Sequence, residues 1–163
     1  MNMILIGMPG AGKSTIGVLL AKTLGMDFCD TDLVIQQNTG KRLQEIIDKQ
    51  GLEVFLKAEE DAICSLRCQN TVIATGGSAV LSEKAMAHLR QHGKCVYLEI
   101  SLEECKRRIR NIRTRGIAVR NGQTLDDVYR ERIPLYAKYA DRTVCCTEKS
   151  TEDVVAELVS CKP

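Results

Sequence analysis

The sequence predicts an α/β fold with one parallel β-sheet covered by helices on both faces. Short apolar runs such as residues 3–6 and 71–75 end at glycines, as buried parallel strands do. Stretches with apolar residues at helical spacing separate these runs, and strands that alternate with helices form parallel sheets. The 163 residues contain no repeat and no linker, so we assign residues 1–163 to a single domain.

The other elements follow in chain order. Strands are predicted over residues 3–6, 26–29, 71–75, 95–100 and 143–145. Helices are predicted over residues 15–24, 43–68 with an interruption at Gly51, 82–91, 102–109, 124–132 and 151–159. Pro134 is expected to start a new helical turn, because proline lacks the N–H that a helix interior uses. Residues 111–123 lack apolar periodicity and are predicted to form a loop.

The composition argues against several classes of function. A net charge of +2 and 44% hydrophobic residues are ordinary for a globular protein, so nothing favours nucleic acid as a partner. No apolar run approaches the roughly 20 residues of a membrane span, and the N-terminus lacks the features of a signal peptide. The eight cysteines match no zinc spacing, and we expect reduced thiols in a cytoplasmic protein.

One glycine-rich motif carries phosphate chemistry. Residues 7–14 read GMPGAGKS, the pattern G-x4-G-K-[ST] between a strand and a helix, which is the phosphate-binding P-loop. Its backbone N–H groups and the helix N-terminus face the phosphates, Lys13 reaches the β- and γ-phosphates, and Ser14 ligates Mg²⁺. The predicted ATP-binding residues of this segment are Gly10, Ala11, Gly12, Lys13, Ser14 and Thr15.

Two carboxylates follow the second predicted strand. Asp30 and Asp32 are one residue apart, so on an extended segment they point in opposite directions. We expect one of them at the metal and the other at the hydroxyl of a phosphate acceptor. The alternative interpretation makes Thr31 or Asp32 the N-cap of a helix over residues 33–37, and both can hold together.

Two further features belong to the acceptor side. Gly76 and Gly77 end the third strand, where paired glycines let a ligand approach the backbone closely, although an ordinary turn would also use them. Glu59 falls in the middle of an apolar helix stripe, where a carboxylate is costly without a partner. We expect Arg132 opposite it, unless the helix rotates to leave Glu59 at the edge of the stripe.

A basic segment follows the fourth strand. Between residues 106 and 120 there is no acidic residue, and there are seven cations: Lys106, Arg107, Arg108, Arg110, Arg113, Arg115 and Arg120. Such a segment suits a lid over residues 111–123 that closes on polyphosphate. RNA binding is a rival interpretation, but no aromatic side chain is interleaved for base stacking. The third interpretation is a basic face exposed to solvent that has no ligand.

Taken in order, these pieces resemble the shikimate kinase family nearly end to end. The matching segments are GMPGAGKSTIG at 7–17, DTD at 30–32, F-x3-E at 55–59, GG at 76–77 and RIPLY at 132–136. The resemblance implies a P-loop NTPase fold of the nucleoside-monophosphate-kinase type, with a five-stranded parallel sheet, a lid and an acceptor-binding region over about residues 32–60. It implies a monomer that transfers the ATP γ-phosphate to a ring hydroxyl of shikimate, in aromatic amino-acid biosynthesis.

The resemblance also implies residue roles. Asp30 supports the metal through water, and Asp32 orients the acceptor hydroxyl as base. Arg115 is the lid arginine that stabilises the transferring phosphoryl group, Arg108 lies against adenine, and Arg132 grips the substrate carboxylate. The catalytic set is Lys13, Asp32 and Arg115, and the metal set is Ser14 and Asp30. The substrate-binding set is Asp32, Glu59, Gly76, Gly77 and Arg132.

Three positions depart from the family pattern. Leu56 stands where the family usually has an arginine that clamps the substrate carboxylate, and Lys57 lies about 100° round the helix. Ser78 replaces the last glycine of a triplet, so it is expected to crowd the acceptor pocket and offer a hydroxyl. Gly116 replaces a proline after Arg115. Losing one charge-assisted clamp costs about 1.5–3 kcal/mol. Shikimate is therefore the first acceptor to test, another small metabolite such as a hydroxy amino acid the second, and a non-catalytic nucleotide-binding regulator the third hypothesis.

Overall fold

The protein is built on one five-stranded parallel sheet with strand order β2-β3-β1-β4-β5. The computed structural model describes residues 1–109 and 117–160. The strands are β1 (Asn2–Ile6), β2 (Asp27–Asp30), β3 (Thr71–Ala74), β4 (Gly93–Glu99) and β5 (Arg142–Cys145). All four strand pairs are parallel, so the predicted parallel α/β sheet is confirmed.

Helices connect the strands and cover the sheet. They are α1 (Lys13–Leu24), α2 (Thr31–Thr39), α3 (Leu43–Gln50), α4 (Leu52–Ser65), α5 (Glu83–His92), α6 (Leu102–Arg108), α7 (Leu125–Tyr139) and α8 (Thr151–Ser160), with a 3-10 turn at Ala79–Leu81. Gly51, at φ 90°, separates α3 from α4, so the predicted interruption is confirmed.

The prediction of a new helical turn at Pro134 is wrong. Helix α7 runs without interruption from Leu125 to Tyr139, with Pro134 inside it. The helix buries Val128, Arg132, Tyr136 and Tyr139, which recur at the three- or four-residue spacing of one face. Packing of that face on both sides of the proline outweighs the loss of one backbone hydrogen bond.

Two apolar clusters hold the chain together. The larger one contains the central strands and the helices on the sheet, and in it Ile4, Leu5 and Ile6 of β1 are fully buried. The smaller one joins α2, α3, α4 and the segment after residue 116, and consists of Ile35, Leu43, Ile46, Phe55, Ala62 and Ala118. The region that we predicted to bind the acceptor, residues 32–60, therefore has a small core of its own beside the sheet.

Strand order brings the predicted motifs to one edge of the sheet. Strands β2, β3 and β1 are neighbours, and their carboxyl ends lead into Asp30, Thr75 and Gly7. Ligands of open parallel sheets bind outside the carboxyl ends of the strands. Along the described ranges, no helix combines the length and the apolar character that crossing a membrane requires.

Candidate active site

The P-loop curls between β1 and α1 with its glycines in conformations that other residues rarely adopt. Gly10 and Gly12 have φ of 84° and 88°, in the left-handed region that glycine reaches at little cost. The Lys13 ammonium donates to the carbonyls of Gly7 (2.8 Å) and Met8 (2.9 Å). Burial lowers the pKa of Lys13 to about 8. The loop thus presents a buried cation and the N-terminus of a 12-residue helix at one place.

Ser14 and Asp30 meet beside the P-loop. The Ser14 hydroxyl donates to Asp30 Oδ2 at 2.6 Å, and Asp30 Oδ1 accepts from the backbone N–H of Asp32 at 3.0 Å. Asp30 is therefore the N-cap of α2, so the prediction that Thr31 or Asp32 caps this helix is wrong. The prediction that residues 30–32 form an extended segment is also wrong, because α2 begins at Thr31. Hydroxyl and carboxylate oxygens are ligands that Mg²⁺ accepts beside substrate phosphates and water, so this pair fits the metal.

A cleft of about 300 Å3 opens next to the P-loop. Besides P-loop residues it is lined by Asp32, Phe55, Glu59, Thr75, Gly76, Gly77, Ser78, Ile117, Ala118 and Arg132. The structure therefore brings the predicted Lys13 and Ser14 together with the whole predicted substrate-binding set. Burial and the neighbouring Asp30 charge raise the pKa of Asp32 to about 6, against the effect of Lys13.

Gly76 is required by the packing of the site's own carboxylates. A Cβ on Gly76 would overlap Glu59 Oε1 and would lie 3.0 Å from Asp32 Oδ1, so both carboxylates would have to shift. A Cβ on Gly77 would lie 2.8 Å from the ring of Pro9. The two glycines thus let the end of β3 approach the carboxylates and the P-loop, a protein contact where we expected room for a ligand.

Glu59 is buried, with 2% of its surface exposed, so the alternative that left it at the edge of the helix stripe is wrong. Burial raises the pKa of Glu59 to about 7. Its Oε2 accepts from the Ser78 hydroxyl at 2.6 Å, and its Oε1 has no hydrogen-bond partner. Arg132 acts on Glu59 through its charge but donates its Nη2 hydrogen to the carbonyl of Ala118. The direct partner of Glu59 is thus Ser78, which sequence reasoning did not pair with it.

The two acceptor-side departures, Leu56 and Ser78, make different contacts near this carboxylate. Ser78 lines the cleft, as expected, but its hydroxyl donates a hydrogen bond to Glu59. Leu56 packs against the smaller apolar cluster and lines a second cavity of about 250 Å3. Lys57 is exposed and pairs with Glu60 and Asp61, both at 2.9 Å. Lys57 therefore does not replace a cation at position 56.

Two residues that sequence reasoning missed hold the glycines in place. The buried Thr31 hydroxyl accepts from the N–H of Gly76 at 3.1 Å. The Tyr136 hydroxyl donates to the carbonyl of Gly77 at 2.6 Å, and the Tyr136 ring stacks on Tyr97. Both residues belong to segments that carried the family resemblance, so their positions were a signal, but their contacts span 45 and 59 residues.

The basic segment is only partly described. Arg108 donates to Glu104 Oε1 (2.6 Å) and to the P-loop carbonyl of Gly10 (3.3 Å), and thus lies against the phosphate loop. Arg107 also pairs with Glu104, and Lys106 pairs with an acidic side chain of α7. These cations are neutralised locally by acidic side chains. Arg115, with the rest of residues 110–116, lies outside the described part of the chain.

Comparison with known proteins identifies the family. The sequence profile of the family described as shikimate kinase matches residues 9–162. Shikimate kinases of Haemophilus influenzae and Pasteurella multocida are each 39% identical to this chain over 97% of its length, covering 90% and 93% of those proteins.

Solved structures agree with the sequence relatives. The shikimate kinase from Acinetobacter baumannii, in complex with shikimate, is 31% identical with a TM-score of 0.90, over 98% of this chain and 90% of that one. The enzyme from Aquifex aeolicus is 32% identical with a TM-score of 0.85, over 98% and 95%. This chain therefore belongs to the shikimate kinase family and is an ATP-dependent phosphotransferase that acts on a hydroxyl group.

Proposed function

We propose that this protein transfers the γ-phosphate of MgATP to a ring hydroxyl of shikimate. One observation carries the proposal: a single cleft joins the P-loop cation Lys13 to Asp32, Glu59 and Arg132. That cleft offers a phosphate site at one end and buried charged groups at the other. The Acinetobacter baumannii relative, whose fold this chain shares, was solved with shikimate bound.

The nucleotide half of the cleft would hold the polyphosphate. Lys13 would exchange its bonds to the P-loop carbonyls for bonds to the β- and γ-phosphates, and the loop amides would contact the same oxygens. Ser14 and Asp30 would hold Mg²⁺, which when bound neutralises charge on the phosphates. Arg108, against Gly10, would border the adenine, and Arg115 would stabilise the phosphoryl group in transfer.

The acceptor half would orient the hydroxyl. Asp32 lies in the cleft with Lys13, so its carboxylate would accept the hydroxyl proton while the hydroxyl oxygen forms a bond to the γ-phosphorus. The bond from the γ-phosphorus to the bridging oxygen breaks, and ADP leaves with that oxygen. The pKa of about 6 for Asp32 keeps it mostly ionised at neutral pH yet basic enough to take a proton.

Arg132 would bind the acceptor carboxylate. It is 2% exposed and lines the cleft, and its Nε has no hydrogen-bond partner. A buried guanidinium donor without a partner is costly, and an acceptor carboxylate would satisfy it. Within the single domain, residues 32–60 would form the acceptor-binding region and residues 111–123 the lid. We further expect a monomer in the cytoplasm, where ATP and a small acid would be its partners.

One observation favours a second candidate. Position 56 carries leucine, which packs against the smaller apolar cluster and does not line the cleft. A single guanidinium binds a carboxylate less tightly than two, so another small hydroxylated acid or a hydroxy amino acid is the alternative acceptor within the same chemistry.

A coupled assay of ADP release tests the proposal. The protein and MgATP are combined with shikimate and, in parallel, with small hydroxy acids and hydroxy amino acids. We expect saturable turnover with shikimate, and Lys13→Ala protein from the same preparation serves as the control for contaminating kinases. Higher kcat/KM for another acceptor would support the second candidate. Turnover with none of them would contradict both.

A further inference from the structure

The hydrogen bond between Ser78 and Glu59 forms a wall between two cavities. The acceptor cleft of about 300 Å3 lies on one side, and the cavity of about 250 Å3 that contains Leu56 lies on the other. Ser78 and Glu59 are the residues that line both cavities. The position of the Glu59 carboxylate therefore decides which cavity receives its charge.

The two oxygens of Glu59 have different surroundings. Oε2 accepts from the Ser78 hydroxyl at 2.6 Å, whereas Oε1 is buried without a partner and lies beside Gly76 and Asp32 Oδ1. A hydroxyl has one proton to donate, and Ser78 donates it to Glu59. Oε1 thus has no hydrogen bond to fix it, and Oε2 carries the one hydrogen bond that holds the carboxylate.

Among the described residues, Ser78 is the one whose side chain makes a hydrogen bond to Glu59. The charges that act on it are Asp32 from α2, Arg132 from α7 and Lys13 from the P-loop. From α5, Lys84 lies 3.8 Å from Glu60, the next residue, rather than reaching Glu59. On α4 itself, the neighbouring position 56 is an uncharged leucine. The Ser78 hydroxyl is therefore the contact that sets the orientation of the carboxylate.

Ser78 is itself held rigidly. It precedes the 3-10 turn at Ala79–Leu81 with φ −92° and ψ −8°, and its carbonyl accepts from the N–H of Leu81 at 2.9 Å. These dihedral angles suit any residue. Replacing Ser78 by alanine would thus remove the hydroxyl without straining the backbone.

We propose that Ser78 is a positioning residue for phosphotransfer, whose hydroxyl holds the Glu59 carboxylate in the wall of the acceptor cleft. Without this bond the carboxylate is free to turn into the second cavity, and the acceptor loses a hydrogen-bonding group. The role in catalysis rests on the proposed function, because it concerns the acceptor half of the same site. It predicts an effect on the acceptor and none on ATP.

The bond also affects protonation. A hydrogen bond that favours the carboxylate lowers its pKa, and the Ser78 hydroxyl does so for Glu59. In Ser78→Ala the pKa of Glu59 should rise further, so the neutral acid should persist to higher pH. The defect in acceptor use should then be largest at pH 6.5 and shrink at pH 8.5.

Ser82 supplies a matched control. Its hydroxyl donates to Glu60 Oε2 at 2.8 Å, so it makes the same kind of bond to the next residue of α4, and it does not line the acceptor cleft. Ser82 also caps α5, so Ser82→Ala should destabilise the protein while leaving acceptor kinetics and their pH dependence unchanged.

The experiment compares wild type, Ser78→Ala, Ser78→Thr and Ser82→Ala. Two properties are measured: the 13C titration of the Glu59 carboxyl, assigned with Glu59→Gln, and kcat/KM for acceptor and for ATP between pH 6 and 9. For Ser78→Ala we expect a raised Glu59 pKa and an acceptor kcat/KM about 10-fold lower at pH 6.5, with KM for ATP unchanged. Ser78→Thr, which keeps the hydroxyl, should restore both properties.

Two results would overturn the proposal. One is a Glu59 titration and an acceptor profile in Ser78→Ala that superimpose on those of wild type. The other is an equal loss towards acceptor and ATP at every pH, which would indicate general loosening of the site. If wild type does not use shikimate, the proposed function fails, but the Glu59 titration still decides whether Ser78 controls this carboxylate. The kinetics are then measured with whichever hydroxy acid or hydroxy amino acid the ADP-release assay identifies as the acceptor.

Discussion

Replacing Glu59 by glutamine should stabilise the protein increasingly as pH rises. Burial raises the pKa of Glu59 to about 7 from its ordinary value of 4.5. Because the folded-state pKa is the higher one, the stabilisation that protonated Glu59 provides is fully present below pH 4.5 and is lost as pH rises through 7. Each pKa unit corresponds to about 1.4 kcal/mol, so the complete loss is about 3.5 kcal/mol. Between pH 5 and pH 8, the free energy of unfolding of wild type should fall by roughly 2–3 kcal/mol relative to that of Glu59→Gln.

Urea unfolding at pH 5 and pH 8 measures this difference. The matched control is Glu60→Gln on the same helix. Hydrogen bonds from Lys57 and Ser82 lower the pKa of Glu60 below its ordinary value of 4.5. Its contribution is therefore present at both pH 5 and pH 8 and is lost only in stronger acid, so Glu60→Gln should run parallel to wild type between these two pH values. A Glu59→Gln protein whose unfolding free energy runs parallel to wild type from pH 5 to pH 8 would refute the reasoning.

Four further outcomes follow from the site. Lys13→Ala should reduce ADP release by about 1000-fold or more, because it removes the buried cation from the phosphate site; retained activity would contradict the assignment. In wild type, kcat/KM for ATP should fall above about pH 8 as Lys13 loses its proton. Arg132→Lys should raise the acceptor KM about 10-fold and leave the KM for ATP unchanged, since lysine cannot form the bidentate contact. Leu56→Arg should lower the KM for shikimate. If that KM does not fall and the protein turns over another acceptor, the result would count against shikimate as the substrate.

The nucleotide half of the site could be predicted from the sequence because its contacts are local. Residues 7–15 form one uninterrupted loop and helix start, and the backbone conformation of Gly10 and Gly12 follows from residue type. Of the two residues that would hold the metal, Asp30 comes from elsewhere, and it ends the strand that must lie close by in a parallel sheet. Its role as the cap of α2 was missed because the strand ends and the helix begins without a linking residue.

For the acceptor half, the sequence predicted which residues line the site but not which of them contact one another. The helical periodicity correctly predicted that Glu59 is buried. The partner that we expected for it was Arg132, whereas in the structure Ser78 donates the hydrogen bond. Arg132 instead donates to the carbonyl of Ala118, a contact to a segment without periodicity. Such pairings depend on how α4, α7 and the end of β3 pack together, and no local pattern encodes them. Packing of this kind also explains why α7 continues past Pro134.

Leu56 and Ser78 are two departures from the family pattern that act on one carboxylate. Leu56, Glu59 and Ser78 all line the second cavity, and the Ser78 hydroxyl donates a hydrogen bond to Glu59. An arginine at position 56 would bring a cation to that cavity and lower the pKa of Glu59. With leucine there, burial raises that pKa to about 7 and the Ser78 hydroxyl is the direct contact that opposes the rise. In a protein with this pair, a neutral hydroxyl makes the direct contact to Glu59, while Arg132 and Lys13 act on it through their charges.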